Sequence, residues 1–309
     1  MKDYYPEGTL ILTDENKKYL SSEAFLQQAM STARILEANV VMCDTEHNLI
    51  VDLGIMQGLI PREEGAIGIR EGTTRDIALI SRVGKPVSFV IEQIESDDNG
   101  NKKAILSRRI AQEKCLNYIL NNLSIGDIID ARITHLESFG AFCDIGCGNV
   151  ALLPIDAISV SRITHPKDRF CIGDKIKSII KNIDGENKIT LSHKELLGTW
   201  QENAERFSQG QTVSGIVRSV ENYGVFVELA PNLAGLAESK DNVMVGQNAS
   251  VYIKSIIPEK MKIKLIIIDT FDSPVESEYK YYFSGEHIEE FVYSPPNSTK
   301  QICTKFCGI

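Results

Sequence analysis

Features on which most enzymes and membrane proteins depend are missing from this 309-residue sequence. It has no glycine-rich phosphate loop that opens a helix, no nucleophile elbow and no histidine pair at the helical spacing of a metal site. Its five histidines are scattered along the chain. No apolar run is long enough to span a membrane, and no secretory signal is evident. The sequence therefore favours a non-enzymatic protein without a cofactor.

An excess of basic residues is also missing. The net charge is −9, which argues against a protein that coats nucleic acid by bulk electrostatic attraction. The charge is unevenly distributed, however, because residues 125–197 hold 9 basic and 10 acidic residues and residues 210–269 hold 6 of each. One basic-rich run could follow a phosphate backbone, or could be a solvated loop and strand edge. Its members are Arg162, Lys167, Arg169, Lys175, Lys177 and Lys181.

The seven cysteines form no disulfide framework. An odd number without an export signal is typical of free thiols in a reducing cytoplasm. Two pairs are four residues apart, Cys143 with Cys147 and Cys303 with Cys307. Neither has the spacing of a zinc knuckle, so we expect packing rather than metal binding.

What the sequence does contain is a repeated strand pattern, clearest in residues 126–156. Apolar and polar residues alternate there, as in half-buried strands. Gly140 lies between Phe139 and Phe142, and an interior glycine commonly marks a bulge that would turn both rings to one face. Two adjacent rings would make a stacking platform. The alternative is that one or both rings fill the barrel core.

The pattern recurs downstream at a constant offset, and it recurs upstream with different residues at the ring positions. Tyr223 and Phe226 occupy the positions equivalent to Phe139 and Phe142, at a constant offset of 84 residues, since 223 − 139 = 84 and 226 − 142 = 84. In the upstream copy His47 and Asn48 replace the first ring and its glycine, and Ile50 replaces the second ring. Only two of the three copies therefore carry a ring pair.

Each copy predicts about five strands, which gives an all-β chain of three tandem barrels joined by short helices. Trp200, the single tryptophan, is expected to anchor the second linker. The predicted layout is a lead-in with a helix (1–34), a degenerate first repeat (35–110), a helical linker (111–124), a second repeat (125–197), a second helical linker (198–209), a third repeat (210–269) and a tail (270–309) that resembles a two-stranded ribbon.

Several motifs in these copies resemble the S1 RNA-binding repeat, a five-stranded OB-fold barrel. They are Phe-Gly-Ala-Phe at 139–142, Tyr-Gly-Val-Phe at 223–226, Gly-Asp-Lys-Ile at 173–176 and Lys-Ile-Thr-Leu-Ser at 188–192. The whole chain resembles the short members of the ribosomal S1 family from Gram-positive, clostridia-like bacteria. Stretches such as HNLIVDLG, GLIPREE and GTWQENAERF prompt that resemblance.

The resemblance implies that RNA lies over the second and third strands of each ring-bearing barrel, the general OB-fold mode. The implied RNA-binding residues are Phe139, Phe142, Asp184 and Lys188 in the second repeat and Tyr223, Phe226 and Lys262 in the third. Two departures affect this set. Pro154 and Glu238 stand where the family often has a histidine, and Ile257 replaces the aspartate in the third repeat.

The expected function is binding of single-stranded RNA or mRNA by base stacking, in the cytoplasm, on the small ribosomal subunit or during translation initiation. The first repeat, which lacks rings, is expected to dock protein. The alternative is a protein-interaction scaffold in RNA decay or transcription.

Overall fold

The protein is described by a computed structural model that covers residues 4–96, 102–272 and 280–306. Fifteen of its strands form three closed barrels, and two more form a ribbon near the C-terminus. The first barrel holds β1 (Leu36–Cys43), β2 (Leu49–Asp52), β3 (Gln57–Ile60), β4 (Pro86–Ser96) and β5 (Lys102–Ser107). The second holds β6 (Ile128–Glu137), β7 (Gly140–Asp144), β8 (Val150–Pro154), β9 (Lys175–Ile183) and β10 (Ile189–Ser192). The third holds β11 (Thr212–Glu221), β12 (Gly224–Ala230), β13 (Leu233–Ala237), β14 (Asn248–Ile257) and β15 (Lys262–Phe271).

The three barrels share one strand order. The first three strands form an antiparallel meander, the third pairs in parallel with the fifth, and the fourth closes the barrel against the first. Burial alternates along the strands, as in β14, because successive side chains point to opposite faces. This order and closure are those of the OB-fold. The predicted all-β class with tandem five-stranded barrels is confirmed.

Helices are few among the described residues. They are α1 (Asp14–Leu20), α2 (Glu23–Ser31), α3 (Ile77–Ile80), α4 (Arg108–Asn122) and α5 (Trp200–Ala204), with short 3-10 turns at Leu10–Leu12, Arg62–Glu64, Ile155–Ala157, Pro166–Asp168, Lys194–Leu197 and Pro258–Lys260. The predicted lead-in helix is present, and α2 is capped by the Ser22 hydroxyl, which accepts the Phe25 N–H. Before it, the Thr13 side chain caps α1 by accepting the Asn16 N–H.

The second linker is shorter than the sequence suggested. The helix α5 ends at Ala204, whereas the predicted helical linker extends to residue 209, and Gly210 adopts a positive φ of 89° just before β11. A capping box between Thr199 and Glu202 starts the helix. Trp200 is only 3% exposed and packs into the core of the third barrel, so its predicted anchoring role is confirmed.

The chain divides into two compact units. One unit contains the first barrel, α1 to α4 and two short pieces of the second barrel, Asp130–Arg132 and Asp144–Val150. The other contains the remainder of the second barrel, the third barrel and the ribbon. Within the first unit the core is continuous from α2 to the barrel, through Leu26, Ala29 and Phe89.

Inside the second unit, the second and third barrels are joined by a buried charge cluster. Arg169, in the loop before β9, forms an ion pair with Glu228 on β12, and its side chain is 0% exposed. Glu228 also accepts from Arg218 Nε at 2.7 Å, and Arg218 lies 4.0 Å from Asp168. Arg169 therefore cannot follow a phosphate backbone, and its inclusion in the exposed basic run is wrong. Its partner lies 59 residues away in the other barrel, which the local sequence does not reveal.

The C-terminal ribbon consists of β16 (Glu290–Val292) and β17 (Cys303–Lys305), as the sequence predicted. It contacts both barrels of its unit. The Tyr293 hydroxyl donates to the Asn232 carbonyl at 2.6 Å, on the third barrel. Ile288 and Phe306 share a buried cluster with Ile128 of the second barrel. Of the predicted tail (270–309), residues 273–279 and 307–309 lie outside the described residues.

Candidate nucleic-acid interface

Two aromatic pairs of matching geometry lie on the second and third barrels. The ring centroids of Phe139 and Phe142 are 6.0 Å apart with an interplanar angle of 88°. Those of Tyr223 and Phe226 are 6.2 Å apart, also at 88°. Phe139 is 54% exposed and Tyr223 is 69% exposed, whereas the second ring of each pair is half-buried. The alternative that the first rings fill the barrel cores is therefore wrong.

The turns between strands, and not a bulge at the glycine, bring each pair together. Phe139 and Tyr223 lie in the two-residue turns before β7 and β12, so the first ring folds back over the strand that carries the second. Glu221 pairs directly with Gly224, which leaves no bulge at that glycine, and the register of β11 shifts instead between Val217 and Ser219, opposite Val227 and Phe226. The bulge predicted at Gly140 is not needed to pair the rings, because the turn already carries Phe139.

The glycines are needed for another reason. A Cβ on Gly140 would lie 2.5 Å from the Leu153 carbonyl oxygen, and one on Gly224 would lie 2.4 Å from that of Ala237. Each glycine thus permits close approach of the neighbouring strand.

A third ring joins the pair on the second barrel. His135, on β6, is stacked with Phe142 at a centroid distance of 6.3 Å and an interplanar angle of 30°. Its Nε2 lies 2.7 Å from Glu137 Oε1. His135 is exposed although it lies two residues after the buried Ile133, and residues two apart on a regular strand share a face, so the sequence pattern contained no signal for this position.

The polar residues implied for the second barrel lie at the turn between β9 and β10. Asp184 Oδ1 accepts the Glu186 N–H at 2.9 Å and the Lys188 N–H at 2.8 Å, so one carboxylate oxygen organises the turn. Lys188 is exposed, and the neighbouring Glu186 carboxylate raises the pKa of its ammonium group. Lys188 therefore remains protonated, and the ion pair with Glu186 partly neutralises its positive charge.

On the third barrel the implied lysine begins β15. Lys262 is exposed and pairs across the hairpin with Ile257, and the intervening turn is the 3-10 turn Pro258–Lys260. Lys264 lies on the same outward face, because Ile263 between them is buried. The structure therefore adds Lys264 to the candidate RNA-binding residues that the sequence predicted for this barrel.

Strand registers place four outward-facing residues side by side on each barrel, and we call each set a row. The third row follows from direct pairing of Ser219 with Phe226, Phe226 with Leu236, and Leu236 with Lys264. The second row consists of His135, Phe142, Leu152 and Thr190. His135 stacks with Phe142, Thr190 pairs with Leu152, and the hydrogen bond from the Ile155 N–H to the Phe139 carbonyl sets the antiparallel register that places Leu152 beside Phe142. The first row consists of Met42, Ile50, Leu59 and Ile105.

The first barrel differs from the others at every platform position. His47 lies in the turn between β1 and β2 with a φ of 63°, and Ile50 occupies the place of the second ring. The side chains of its row are three aliphatic groups and one thioether, and none of them is aromatic or charged. This outward apolar row offers no base-stacking surface.

Within residues 4–96, 102–272 and 280–306, no cluster of three or more His, Cys, Asp or Glu residues is arranged to hold a metal ion. Cys143 and Cys147 are both buried, and Cys307 lies outside the described residues. Among the described helices, none has the length and apolar character needed to cross a membrane.

Comparison with known proteins connects this geometry to one family. Residues 122–194 match the family described as the S1 RNA binding domain. Small ribosomal subunit protein bS1 of Staphylococcus aureus is 28% identical over 301 residues, which cover 95% of this chain and 72% of the relative. Its counterpart in Staphylococcus epidermidis is 28% identical over 292 residues, which cover 92% and 70%.

Among solved structures, a multidomain protein with nucleic acid binding domains from Streptococcus pneumoniae aligns with a TM-score of 0.25 and 15% identity. That alignment covers 79% of this chain and 76% of the other. The sequence matches confirm the resemblance to tandem S1 repeats.

Proposed function

We propose that this chain, a relative of the tandem S1-domain proteins, binds single-stranded RNA on the outer faces of its second and third barrels. The observation that carries the proposal is the pair of exposed ring platforms, which have the same centroid spacing and angle on two barrels. Polar residues beside them, Asp184, Lys188 and Lys262, would contact the ribose and phosphate of the same strand.

Base stacking explains how such a face would act. Every base has a π-face, so an exposed ring accepts any sequence, at about 1 to 3 kcal/mol per base. Lysines near the platforms add a modest ionic contribution, because the two barrels are close to neutral. Binding would be sequence-tolerant and only moderately salt-dependent.

The two platforms would also act together. The buried cluster of Arg169, Glu228 and Arg218 joins their barrels within one compact unit. Once one platform holds a strand, the second meets the same strand at an effective concentration that short tethers raise to the millimolar range. Two weak sites would then give useful affinity for long RNA.

The relatives named small ribosomal subunit protein bS1 support a role on the small ribosomal subunit, with mRNA as the single-stranded partner, in the cytoplasm. The proposed activity is binding without catalysis and without a cofactor. The aliphatic row of Met42, Ile50, Leu59 and Ile105 supports a protein contact through the first barrel. That row also favours the second candidate function, a scaffold in RNA decay or transcription.

Two measurements test the proposal with the full chain. Fluorescence anisotropy should show tighter binding to a single-stranded RNA than to a duplex of the same sequence, and equal binding would contradict stacking. Sedimentation of a native lysate at moderate salt should place the chain with the small subunit. Migration away from the subunit together with a nuclease or polymerase would favour the scaffold.

A further inference from the structure

We infer that the two RNA faces hold a nucleotide by different contacts: the third row adds a phosphate contact through Lys264, and the second row adds a third stacking ring, His135. This inference rests on the proposed function. The middle of both rows is the same, a half-buried phenylalanine beside a leucine, Phe142 with Leu152 and Phe226 with Leu236. The ends of the rows differ.

The two rows differ at the end formed by the fifth strand, where the third barrel has a lysine and the second barrel has a threonine. Lys264 pairs with Leu236, and Thr190 pairs with Leu152 at the equivalent place on the second barrel. Lys264 is exposed, and among the described residues no carboxylate lies within ion-pair distance of it. Lys188 on the second barrel, in contrast, shares its ammonium group with Glu186. The third barrel therefore presents an uncompensated positive charge where the second presents none.

The position of Lys264 suits a phosphate. It stands two strands away from Phe226, and neighbouring strands are about 4.8 Å apart, which places the two Cα atoms about 10 Å from each other. A base stacked on Phe226 leaves its ribose and phosphate to the side of the ring, within reach of an extended lysine side chain. An ammonium group there is a point charge with three donors.

The rows also differ at the end formed by the first strand, where the second barrel has a histidine and the third barrel has a serine. His135 is exposed and stacked with Phe142, whereas Ser219 pairs with Phe226. The second barrel thus has three adjacent rings, because Phe139 and His135 both neighbour Phe142. Glu137 fixes the imidazole through Nε2 and leaves its face open to solvent. This barrel gains a stacking surface where the third gains a charge.

Salt dependence tests the charge. For the full chain and a single-stranded RNA, the slope of log affinity against log salt should become shallower by about 0.7 in Lys264→Thr, because each phosphate contact on single strands contributes about that much. Thr190→Lys should make the slope steeper by a similar amount. Lys300→Thr, which removes the same charge from the ribbon loop, should leave the slope unchanged. An unchanged slope in Lys264→Thr, or an equal change in Lys300→Thr, would overturn the assignment.

Exchange of the ring tests the stack. His135→Ser, which copies the third barrel, should weaken binding about 5-fold, the low end for loss of one stacked base. His135→Phe should retain the affinity, because it keeps a ring while removing the ring nitrogens. Loss in both variants would show a polar contact instead and overturn the stacking role, as would retention in both.

A parallel pair of variants separates this inference from the function on which it rests. If Phe139→Ala and Tyr223→Ala both weaken RNA binding while the row-end variants behave like the wild type, only the inference fails. If the ring variants also bind normally, the proposed function fails as well.

Discussion

Removal of Glu228 should destabilise the second unit more than removal of Arg169, although the two residues form one ion pair. Glu228→Gln leaves Arg169, whose side chain is 0% exposed, without an anionic partner. Breaking a buried pair in this way costs about 3 to 5 kcal/mol, because an uncompensated charge stays buried. Among the described residues, Arg218 then keeps a single ion pair, with Asp168 at 4.0 Å.

Arg169→Met has a smaller expected effect. Glu228 retains Arg218, whose Nε lies 2.7 Å away, so its charge stays compensated. Arg169 Nη1 is buried without a hydrogen-bond partner among the described residues, and an apolar side chain of similar length removes that unpaired group. We expect a loss of about 1 to 2 kcal/mol, between the values for a neutral hydrogen bond and for one to a charged group.

Urea unfolding followed by tryptophan fluorescence measures the difference. Trp200 is the single tryptophan and lies in the core of the third barrel, so its signal reports on this unit. The midpoint should fall further in Glu228→Gln than in Arg169→Met at a similar slope. Glu221→Gln, at the exposed end of β11, should stay within about 0.5 kcal/mol of the wild type. Equal losses in the two buried variants, or the reverse order, would refute this account of the cluster.

Two further changes test local packing and buried charge. Gly140→Ala should destabilise the second barrel by about 1 to 3 kcal/mol in the same unfolding assay, because its Cβ would meet the Leu153 carbonyl oxygen at 2.5 Å, whereas Gly185→Ala, with nothing within 4 Å, should be nearly neutral. Burial raises the pKa of Glu37 from 4.5 to about 7, so the folded state holds a proton that the unfolded chain releases. The resulting stability, up to about 3 kcal/mol, is complete below about pH 4.5 and is lost as the pH rises through about 7. Glu37→Gln should flatten this part of the profile in urea unfolding followed by circular dichroism, and an unchanged profile would contradict it.

The sequence predicted the barrels and the ring pairs because both repeat. A constant offset of 84 residues linked Phe139 to Tyr223, and alternating burial is a local property that strands impose on their own sequence. The sequence also predicted that the first barrel lacks the ring pair, since His47 and Ile50 occupy the two ring positions. These features need no knowledge of distant contacts.

The remaining features depended on contacts that a local pattern does not contain. The burial of Arg169 is caused by Glu228 on another barrel, so Arg169 looked like one more surface cation. Lys264 became a site residue only through strand registers, which place it beside Leu236 and Phe226. The two-residue turn before β7 brings Phe139 beside Phe142, and this arrangement depends on the turn rather than on the alternation that the sequence shows.

The stacking platforms are tested most directly by Phe139→Ala and Tyr223→Ala, with His47→Ala at the equivalent turn of the first barrel as the control. Melting temperature and affinity for single-stranded RNA are measured on the same preparations of the full chain. Because both rings are more than half exposed, each variant should lose roughly 1 to 3 kcal/mol of binding free energy while stability changes by about 0.5 kcal/mol or less. The control should bind RNA as the wild type does. A large fall in melting temperature with undiminished affinity per folded molecule would contradict the platforms and leave these rings with a purely structural role.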